Sequence, residues 1–383
     1  MKRSLLISVV FIIWLTSCTK QRPTPIKDLS IRLDSLITHE HDSNRFDGTI
    51  VVGTQDSILF QRAIGTANRV WDIPMRMDSR FDICSLDKSF TATLVLMAVE
   101  EGKLSLDDHL TDLLKPLNYS GAFDPNITIH QMLTHTSGLA HYEHMAPNLQ
   151  LDWFRPFKRK HFNNPEYIDF ISTVPTVNSP GKQFYYSSFA YHLLAIILED
   201  IYQQPYAELL NEKICQPLEL RQTFSTSDNL EVHKHMVEAY NYHELSDSWK
   251  RNQFIDLTLG RRIFSTSHDL YLWGKAMSAA SLLSPESMKR MHSNYLKEIT
   301  PDISYGYGWA VFDKKGNYHM GNLGIDQKYI IHGGATEGFR SMLVNIENGQ
   351  YIIAFLTNIG DQVNEIEITK KIANILIESK YDN

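Results

Sequence analysis

Cysteine is scarce in this sequence: among 383 residues it occurs at positions 18, 84 and 215 alone. Cys18 directly follows a short N-terminal segment that differs in composition from the rest of the chain. The remainder of the sequence contains Cys84 and Cys215. Two cysteines in a chain of this length cannot form a disulfide framework. We therefore expect two free thiols, with a single bridge as the alternative, and we exclude the class of small disulfide-stabilised domains.

Clustered positive charge is also missing. The sequence has 37 Lys and Arg against 44 Asp and Glu, a formal net charge of −7, and its basic run at residues 158–160 is short. A nucleic-acid partner requires a surface that neutralises several phosphates, so we do not expect one. Apolar residues make up 43% of the chain and charged residues 21%. These proportions are ordinary for a globular enzyme and exclude bulk disorder.

A long hydrophobic run is lacking as well, because the apolar stretch at residues 5–15 is too short to span a membrane comfortably. Lys2 and Arg3 precede this stretch, and small residues follow it. A basic start, a short apolar core and small residues before a break predict a secretory signal peptide over residues 1–17.

The four residues at the end of this segment, Leu15-Thr16-Ser17-Cys18, resemble the bacterial lipobox, in which the cysteine becomes the lipid-bearing first residue of the mature protein. Cys18 is the expected lipidation site, and a plain signal peptide with an incidental cysteine is the alternative. The polar, proline-containing residues 18–27 are typical of a flexible tether. We expect an exported protein that a lipid anchor holds at the membrane of a bacterial cell envelope, facing the periplasm or the surface.

Hydrophobic periodicity predicts helices and strands at both ends of the chain. The predicted helices are residues 29–40, 85–102 and 363–377. The predicted strands are residues 48–53, 57–63, 305–312, 329–332, 339–346 and 351–356. Residues 106–254 carry helical patterns and little strand signal. We therefore predict an α/β domain made of residues 28–105 and 255–383, into which a mostly helical domain, residues 106–254, is inserted.

Three common signatures are missing: Gly-x-Ser-x-Gly, the His-Glu-x-x-His zinc motif and a phosphate-binding Gly-rich loop that ends in Lys-Ser/Thr. The pattern Ser-x-x-Lys, by contrast, occurs three times, at Ser17, Ser85 and Ser179. Ser17 lies in the predicted leader, and Ser179 begins a Ser-Pro-Gly turn. Among the three, Ser85 is the one that begins a predicted helix.

The position of Ser85 has a chemical meaning. Residues three apart in a helix share one face, which lets the Lys88 amine approach the Ser85 hydroxyl. A serine hydroxyl becomes a nucleophile when a neighbouring base takes its proton. We expect burial to lower the pKa of Lys88 from its usual value of about 10.4, so that the amine can act as that base. The helix N-terminus offers unpaired N–H groups where an oxyanion would develop.

Six segments resemble, in the same order, hallmarks of the class C β-lactamase family, which also contains D-alanyl-D-alanine carboxypeptidases, D-aminopeptidases and β-lactamase-like esterases. They are residues 81–91 (FDICSLDKSFT), 129–139 (IHQMLTHTSGL), 180–188 (PGKQFYYSS), 264–270 (FSTSHDL), 305–309 (YGYGW) and 332–334 (HGG). The resemblance extends over roughly residues 45–360. It implies a β-lactamase/transpeptidase-like α+β fold, an α/β/α sandwich around an antiparallel sheet with an inserted, mostly helical domain.

The resemblance also implies roles for single residues. Ser85 would be the nucleophile and Lys88 its base partner. Tyr186, in the register counted from the phenylalanine of its motif, would be the second general acid or base, which leaves Tyr185 as a core residue. The N–H groups of Ser85 and Ala335 would form the oxyanion hole.

Substrate binding would fall to Ser188, His332, Gly333 and Gly334, and two of these residues depart from the family pattern. Ser188 replaces the asparagine of the Tyr-x-Asn motif, and His332 replaces the lysine of true class C β-lactamases. A histidine is only partly charged at neutral pH, so we expect it to attract a substrate carboxylate less firmly than lysine does. Both departures weaken an assignment as a β-lactamase without affecting acyl transfer.

A cluster of histidines offers a different interpretation. Residues 130, 135, 141 and 144 are histidines within fifteen positions, which raises the possibility of a zinc site. No pair has the helical i, i+4 spacing of a metal motif, so we expect neither a metal nor another cofactor.

The sequence therefore predicts a serine hydrolase of the cell envelope that forms an acyl-enzyme on Ser85. Its expected substrate is a small molecule or peptide: a D-amino-acid peptide or amide, or an ester. A true β-lactamase and a catalytically inactive binding protein on the same fold are the alternatives.

Overall fold

The structure is a computed structural model that describes residues 25–117, 119, 121–141, 162–226, 231–251, 261–279, 281–313, 316, 318–336 and 338–379. The predicted signal peptide and the lipidation site Cys18 lie outside the described residues. The first helix begins at Pro25, so the last three residues of the predicted tether are helical. In the described part of the chain, every helix is too short or too polar to cross a membrane.

Helices and strands come in runs along the chain. The α-helices are α1 (Pro25–Asp42), α2 (Asp87–Glu100), α3 (Leu110–Leu114), α4 (Ile129–Leu133), α5 (Asn164–Ser172), α6 (Ser188–Tyr202), α7 (Tyr206–Leu210), α8 (Ser267–Ala279), α9 (Pro285–Met291) and α10 (Glu365–Ser379). The strands are β1 (Gly48–Gly53), β2 (Ile58–Ile64), β3 (Thr66–Asn68), β4 (Ile73–Pro74), β5 (Phe81–Asp82), β6 (Phe224–Thr226), β7 (Tyr240–His243), β8 (Ser248–Arg251), β9 (Arg262–Ser265), β10 (Ala310–Phe312), β11 (Tyr329–Thr336), β12 (Phe339–Ile346) and β13 (Tyr351–Thr357).

The main sheet has the strand order β10-β11-β12-β13-β1-β2, and every neighbouring pair in it is antiparallel. Side chains alternate between its two faces because the strand repeat is two residues. Ile50 and Val52 pack with Leu33 of α1 and Ile372 of α10, whereas Val51 packs in the core that contains Trp273 of α8. The sheet therefore lies between two helical layers, and the predicted sandwich around an antiparallel sheet is confirmed.

One part of the strand prediction is wrong. The segment predicted as one strand over residues 305–312 is a strand only at β10; residues 305–309 fold back on it, with a bridge between Tyr305 and Ala310. Gly308 in this turn has φ +72°, a backbone conformation that interrupts an extended strand. Residues 106–254, predicted as mostly helical, also contain three short strands, β6, β7 and β8.

Neither remaining cysteine forms a disulfide. Cys84 is half-buried and Cys215 is buried, and both thiols are free, which confirms the expectation of free thiols. Burial raises the pKa of the Cys215 thiol to about 12, so this group stays protonated at neutral pH.

Candidate active site

Ser85 lies in a single 3₁₀ turn, Cys84–Leu86, that leads directly into α2. Cys84 has φ +52°, in the left-handed region, and its N–H donates to the Asp82 carboxylate at 2.7 Å. The Ser341 hydroxyl donates to the Ile83 carbonyl at 2.6 Å. These bonds hold the turn on both sides, so the half-buried Ser85 is presented at the N-terminus of a helix.

Helix α2 is buried on nearly all sides, which fixes the positions of its side chains. Trp273 of α8 donates its indole N–H to Ser89 at 3.0 Å and stacks on Phe90 with ring centroids 4.2 Å apart. On another side, Gly308 lies so close to the helix that a Cβ there would be 2.7 Å from the Lys88 carbonyl oxygen. Any larger residue would push the tyrosine-rich turn away from α2.

The Lys88 side chain is 3% exposed, and its Nζ lies 3.5 Å from Oδ1 of Asp87. The same Nζ is 5.2 Å from the ring centroid of Tyr186 and 5.8 Å from that of Tyr191. Burial lowers the pKa of the amine, but attraction to Asp87 and Tyr186 together outweighs burial, and the net direction is upward. The expected fall in the Lys88 pKa is therefore wrong, because the sequence reasoning left out the carboxylate next to it.

Tyr186, rather than Tyr185, is the tyrosine that interacts with Ser85. Interactions of its hydroxyl with the Ser85 and Lys88 side chains both act to lower its pKa, and the Lys88 Nζ lies 5.2 Å from its ring centroid. Burial raises the pKa of this hydroxyl, and the charge of Lys88 and the interaction with Ser85 offset part of that rise. The backbone of the neighbouring Tyr185 is held by a different residue, because its N–H donates to the His135 carbonyl at 2.7 Å.

Strand β11 forms the opposite wall of the site. The Glu347 N–H donates to the Lys328 carbonyl at 2.8 Å, so residues 328 and 347 form a hydrogen-bonded pair. Such pairs recur at every second residue of an antiparallel ladder, so the even-numbered residues of β11 bond to β12. Odd-numbered residues, including Gly333 and Ala335, therefore direct their N–H and C=O groups away from β12. On that side β10 pairs with residues 329–331. In the described ranges no strand covers the edge at Ala335, so its N–H points to an open edge.

Gly334 brings this edge directly against the Cys84–Leu86 turn, which contains Ser85. A Cβ at this position would be 2.3 Å from the Ile83 carbonyl oxygen and 2.8 Å from Cβ of Cys84. Only a residue without a side chain allows the two backbones to approach this closely. The arrangement places the N–H groups of Ser85 and Ala335 on facing backbones.

His332 is 7% exposed and bonded on both ring nitrogens. Nδ1 is 2.6 Å from the Gly333 carbonyl and Nε2 is 3.0 Å from the Tyr305 hydroxyl. Because a carbonyl accepts, Nδ1 carries the proton and Nε2 accepts from the tyrosine. Burial, with the charge of Lys88, lowers the pKa of His332 to about 3. The expectation of a partly charged histidine is therefore wrong: this imidazole is neutral at pH 7.

The second departure from the family pattern, Ser188, is buried at the first turn of α6. Its N–H donates to Nδ1 of His141 at 3.2 Å. The preceding Ser187 caps α6, since its hydroxyl accepts the Ala190 N–H and donates to the Ala140 carbonyl at 2.7 Å. The start of α6 is thus tied to the loop that follows α4.

The histidine cluster does not assemble as a metal site. His130 bonds to the Tyr307 hydroxyl at 2.8 Å, and His135 and His141 bond to backbone N–H groups; His144 lies outside the described residues. No group of three or more His, Cys, Asp or Glu side chains in the described ranges is placed to hold a metal ion.

Sequence reasoning gave no role to several residues of this site. Asp87 contacts Lys88, and Tyr305 links His332 to Tyr191 through hydrogen bonds. The signal for Asp87 was present, because it occupies the residue just before the lysine of Ser-x-x-Lys. Tyr305 and Tyr191 come from distant parts of the chain, and no local pattern connects them.

Comparison with known proteins places this geometry in a family. The family model "Beta-lactamase" matches residues 33–376. Penicillin-binding protein 4* of Bacillus subtilis (strain 168) is 24% identical over 367 residues, which cover 91% of this chain and 76% of that protein. Esterase EstB of Burkholderia gladioli is 31% identical over 206 residues, and the match covers 50% of each protein.

Among solved structures, the D-amino acid amidase from Ochrobactrum anthropi SV3 has a TM-score of 0.73 at 18% identity, covering 92% of this chain and 99% of that one. A likeness at this identity establishes the fold and leaves the substrate open. Both the family match and the fold extend over most of the chain, and the family match includes the Cys84–Leu86 turn and strand β11. The chain belongs to the beta-lactamase family of serine hydrolases.

Proposed function

We propose that this protein is a serine hydrolase that forms an acyl-enzyme on Ser85 and acts on esters or on D-amino-acid amides and peptides. The observation that carries the proposal is that Tyr186 interacts with both other side chains: its hydroxyl interacts with Ser85 and Lys88, and the Lys88 Nζ lies 5.2 Å from its ring centroid. Acyl transfer needs a nucleophile, a proton acceptor and a cation close together, and these three side chains supply them.

The reaction begins once the Lys88–Tyr186 pair has lost one proton. The Tyr186 oxygen takes the Ser85 proton while the serine oxygen attacks the substrate carbonyl carbon, and the Lys88 ammonium stabilises the charge on the tyrosine. The N–H groups of Ser85 and Ala335 donate hydrogen bonds to the oxyanion of the tetrahedral intermediate.

The intermediate collapses when the bond to the leaving group breaks and the alcohol or amine takes the proton from Tyr186. This step leaves the acyl group on Ser85. Water then attacks the acyl carbon of the ester and gives one proton to Tyr186. The bond between the acyl carbon and the Ser85 oxygen breaks, this oxygen takes the proton from Tyr186, and the acid leaves. An amine in place of water would make the same site an acyltransferase.

The charges around the site favour acyl donors without a free carboxylate. His332, where a cation would hold such a carboxylate, is neutral and already bonded on both nitrogens. Ser188 has a shorter side chain than asparagine and no amide to grip an acylamino group. Losing one charge-assisted hydrogen bond costs about 1.5–3 kcal/mol, or roughly one to two decades in rate for each contact. Slow turnover of β-lactams follows.

The named relatives support this range of substrates. A penicillin-binding protein, an esterase and a D-amino acid amidase share the fold or the family. The esterase and the amidase support neutral esters and amides, whereas a true β-lactamase is the second candidate because of the family itself.

Labelling and turnover together test the proposal. Wild-type protein should react with a fluorophosphonate at Ser85, and Ser85→Ala should abolish labelling and lower turnover by about 10³-fold or more. Rates should be compared on p-nitrophenyl esters, D-amino-acid amides, D-Ala-D-Ala peptides and nitrocefin. Absence of both labelling and turnover would make the protein a binding protein. Nitrocefin turnover that rivals the best ester would make it a β-lactamase.

We further propose export and anchoring through Cys18, on the strength of the N-terminal sequence. Mass spectrometry of membrane-extracted protein should find a mature chain that begins at an acylated Cys18, and Cys18→Ala should release the protein from membranes. A mature N-terminus at any other residue would refute the anchor.

A further inference from the structure

His135 contacts three consecutive residues of the segment that contains Tyr186. Its carbonyl accepts the Tyr185 N–H at 2.7 Å, and its Nδ1 accepts the Ser187 N–H at 3.1 Å. Between these two bonds, the imidazole lies against the Tyr186 ring with centroids 4.3 Å apart. One residue therefore holds the backbone on both sides of the tyrosine and packs on its ring as well.

The protonation state of His135 follows from these bonds. Nδ1 accepts from an N–H, so the ring proton must be on Nε2, and this buried atom has no hydrogen-bond partner among the described residues. Burial, followed by the positive charge of Lys88, lowers the pKa of His135 well below its ordinary value.

The remaining neighbours keep the imidazole neutral. The rings of Tyr191 and Tyr305 lie 5.0 Å and 5.1 Å from it, and neither carries a negative charge that would favour a protonated histidine, because burial raises the pKa of both hydroxyls. A protonated ring would turn Nδ1 into a donor facing another donor. The bond to Ser187 therefore requires the neutral form that this environment favours.

The backbone of His135 is in the left-handed region, with φ +58°. Among residues with a side chain, asparagine tolerates this conformation best, and most others are strained in it. Here the conformation lets the carbonyl and the side chain of one residue reach the same neighbouring segment. The segment is rigid at its far end too, because Ser187 is the N-cap of α6.

We propose that His135 is a positioning residue that sets the Tyr186 hydroxyl between Ser85 and Lys88. The inference rests on the proposed function, since positioning matters for activity only if Tyr186 moves the proton. A shift of about 1 Å in a group that transfers a proton lowers the rate by about 10²-fold.

Three substitutions of His135 separate positioning from mere packing. In His135→Asn the amide oxygen occupies about the place of Nδ1, and asparagine tolerates the left-handed backbone. In His135→Gln the amide oxygen lies one bond further out and cannot meet the Ser187 N–H in the same place. His135→Ala has no acceptor. We expect His135→Asn to keep kcat within about fivefold, and the other two to lose about 10²-fold in kcat with KM little changed.

The measurements are kcat and KM on a p-nitrophenyl ester, the rate of fluorophosphonate labelling, and the thermal unfolding midpoint, each per folded chain after size-exclusion chromatography. If His135→Ala does not fold, the contrast between asparagine and glutamine carries the test. Wild-type kcat in His135→Gln, or a loss or misfolding in His135→Asn, would overturn the proposal. Wild-type protein that is neither labelled nor active would instead refute the proposed function.

Discussion

The two walls of the cleft are built in different ways. On one wall the chemical groups are side chains: Tyr186 interacts with both Ser85 and Lys88, and Lys88 is 3% exposed. On the other wall the chemical groups belong to the backbone of β11, whose Ala335 N–H points to an open edge. The first wall depends on residue types and protonation states, and the second depends on how closely two backbones approach.

This difference predicts two kinds of failure. A substitution on the side-chain wall removes a proton acceptor or a charge while the fold remains intact. A substitution on the backbone wall leaves every functional group in the sequence, yet displaces the donor that should meet the oxyanion. The same loss of rate therefore has a chemical cause on one wall and a geometric cause on the other.

The largest expected effect concerns the side-chain wall. Tyr186→Phe removes the hydroxyl that interacts with both Ser85 and Lys88, and we expect kcat to fall by about 10³-fold, since general acid–base catalysis contributes 10²–10⁴-fold. Tyr185→Phe is the matched control, because it removes the same atom from the neighbouring residue and keeps the bond from the Tyr185 backbone N–H to His135. Ester turnover by both variants measures the contrast. Equal losses in the two variants would contradict the assignment of Tyr186.

The backbone wall should respond to Gly334→Ala. The added Cβ would lie 2.3 Å from the Ile83 carbonyl oxygen, so β11 must move away from the turn that contains Ser85. We expect a loss of about 10²-fold in kcat/KM, the usual cost of a displaced oxyanion donor. Gly333→Ala is the control, because its Cβ would meet the flexible methyl end of Met342 at 3.1 Å. A Gly334→Ala enzyme as active as wild type would show that this approach is not needed.

How much the sequence could predict also differs between the walls. Ser85 was recognisable because Ser-x-x-Lys at a helix start has a spacing with chemical meaning, and the strands β12 and β13 were recognisable from their apolar runs. The open edge of β11 was not, since it depends on where β10 ends, and β10 is shortened by a glycine turn that periodicity does not detect.

Charge states were the least predictable feature. The pKa of Lys88 and that of His332 both moved against expectation, one because of the adjacent Asp87 and the other because of complete burial beside Tyr305. Burial and long-range pairing are properties of the folded chain, so a single residue type does not determine them.

Asp87→Asn should change the pH dependence of the side-chain wall. Asp87 raises the pKa of Lys88, so its neutralisation should lower that pKa and let the Lys88–Tyr186 pair lose its proton at lower pH. We expect the acid limb of kcat/KM to shift down by about one pH unit, which is about tenfold in rate on that limb. Asp87→Glu keeps the charge and serves as the control. A limb that stays in place, or moves upward, would contradict this role of Asp87.

The smallest expected effect is on stability and concerns the histidine of the backbone wall. His332 has its pKa lowered to about 3 in the folded chain, whereas an unfolded histidine titrates near pH 6.5. The unfolded state therefore binds more protons as pH falls below about 6.5, and the folded state loses stability over the range from there to about pH 3. His332→Gln cannot take up this proton, so between pH 7 and 5.5 it should lose about 1 kcal/mol less than wild type. Urea unfolding at the two pH values measures the difference, with His319→Gln, whose side chain is 76% exposed, as the control. An identical loss in His332→Gln and wild type would mean that the imidazole is protonated in the folded protein, and the argument for neutral acyl donors would fail with it.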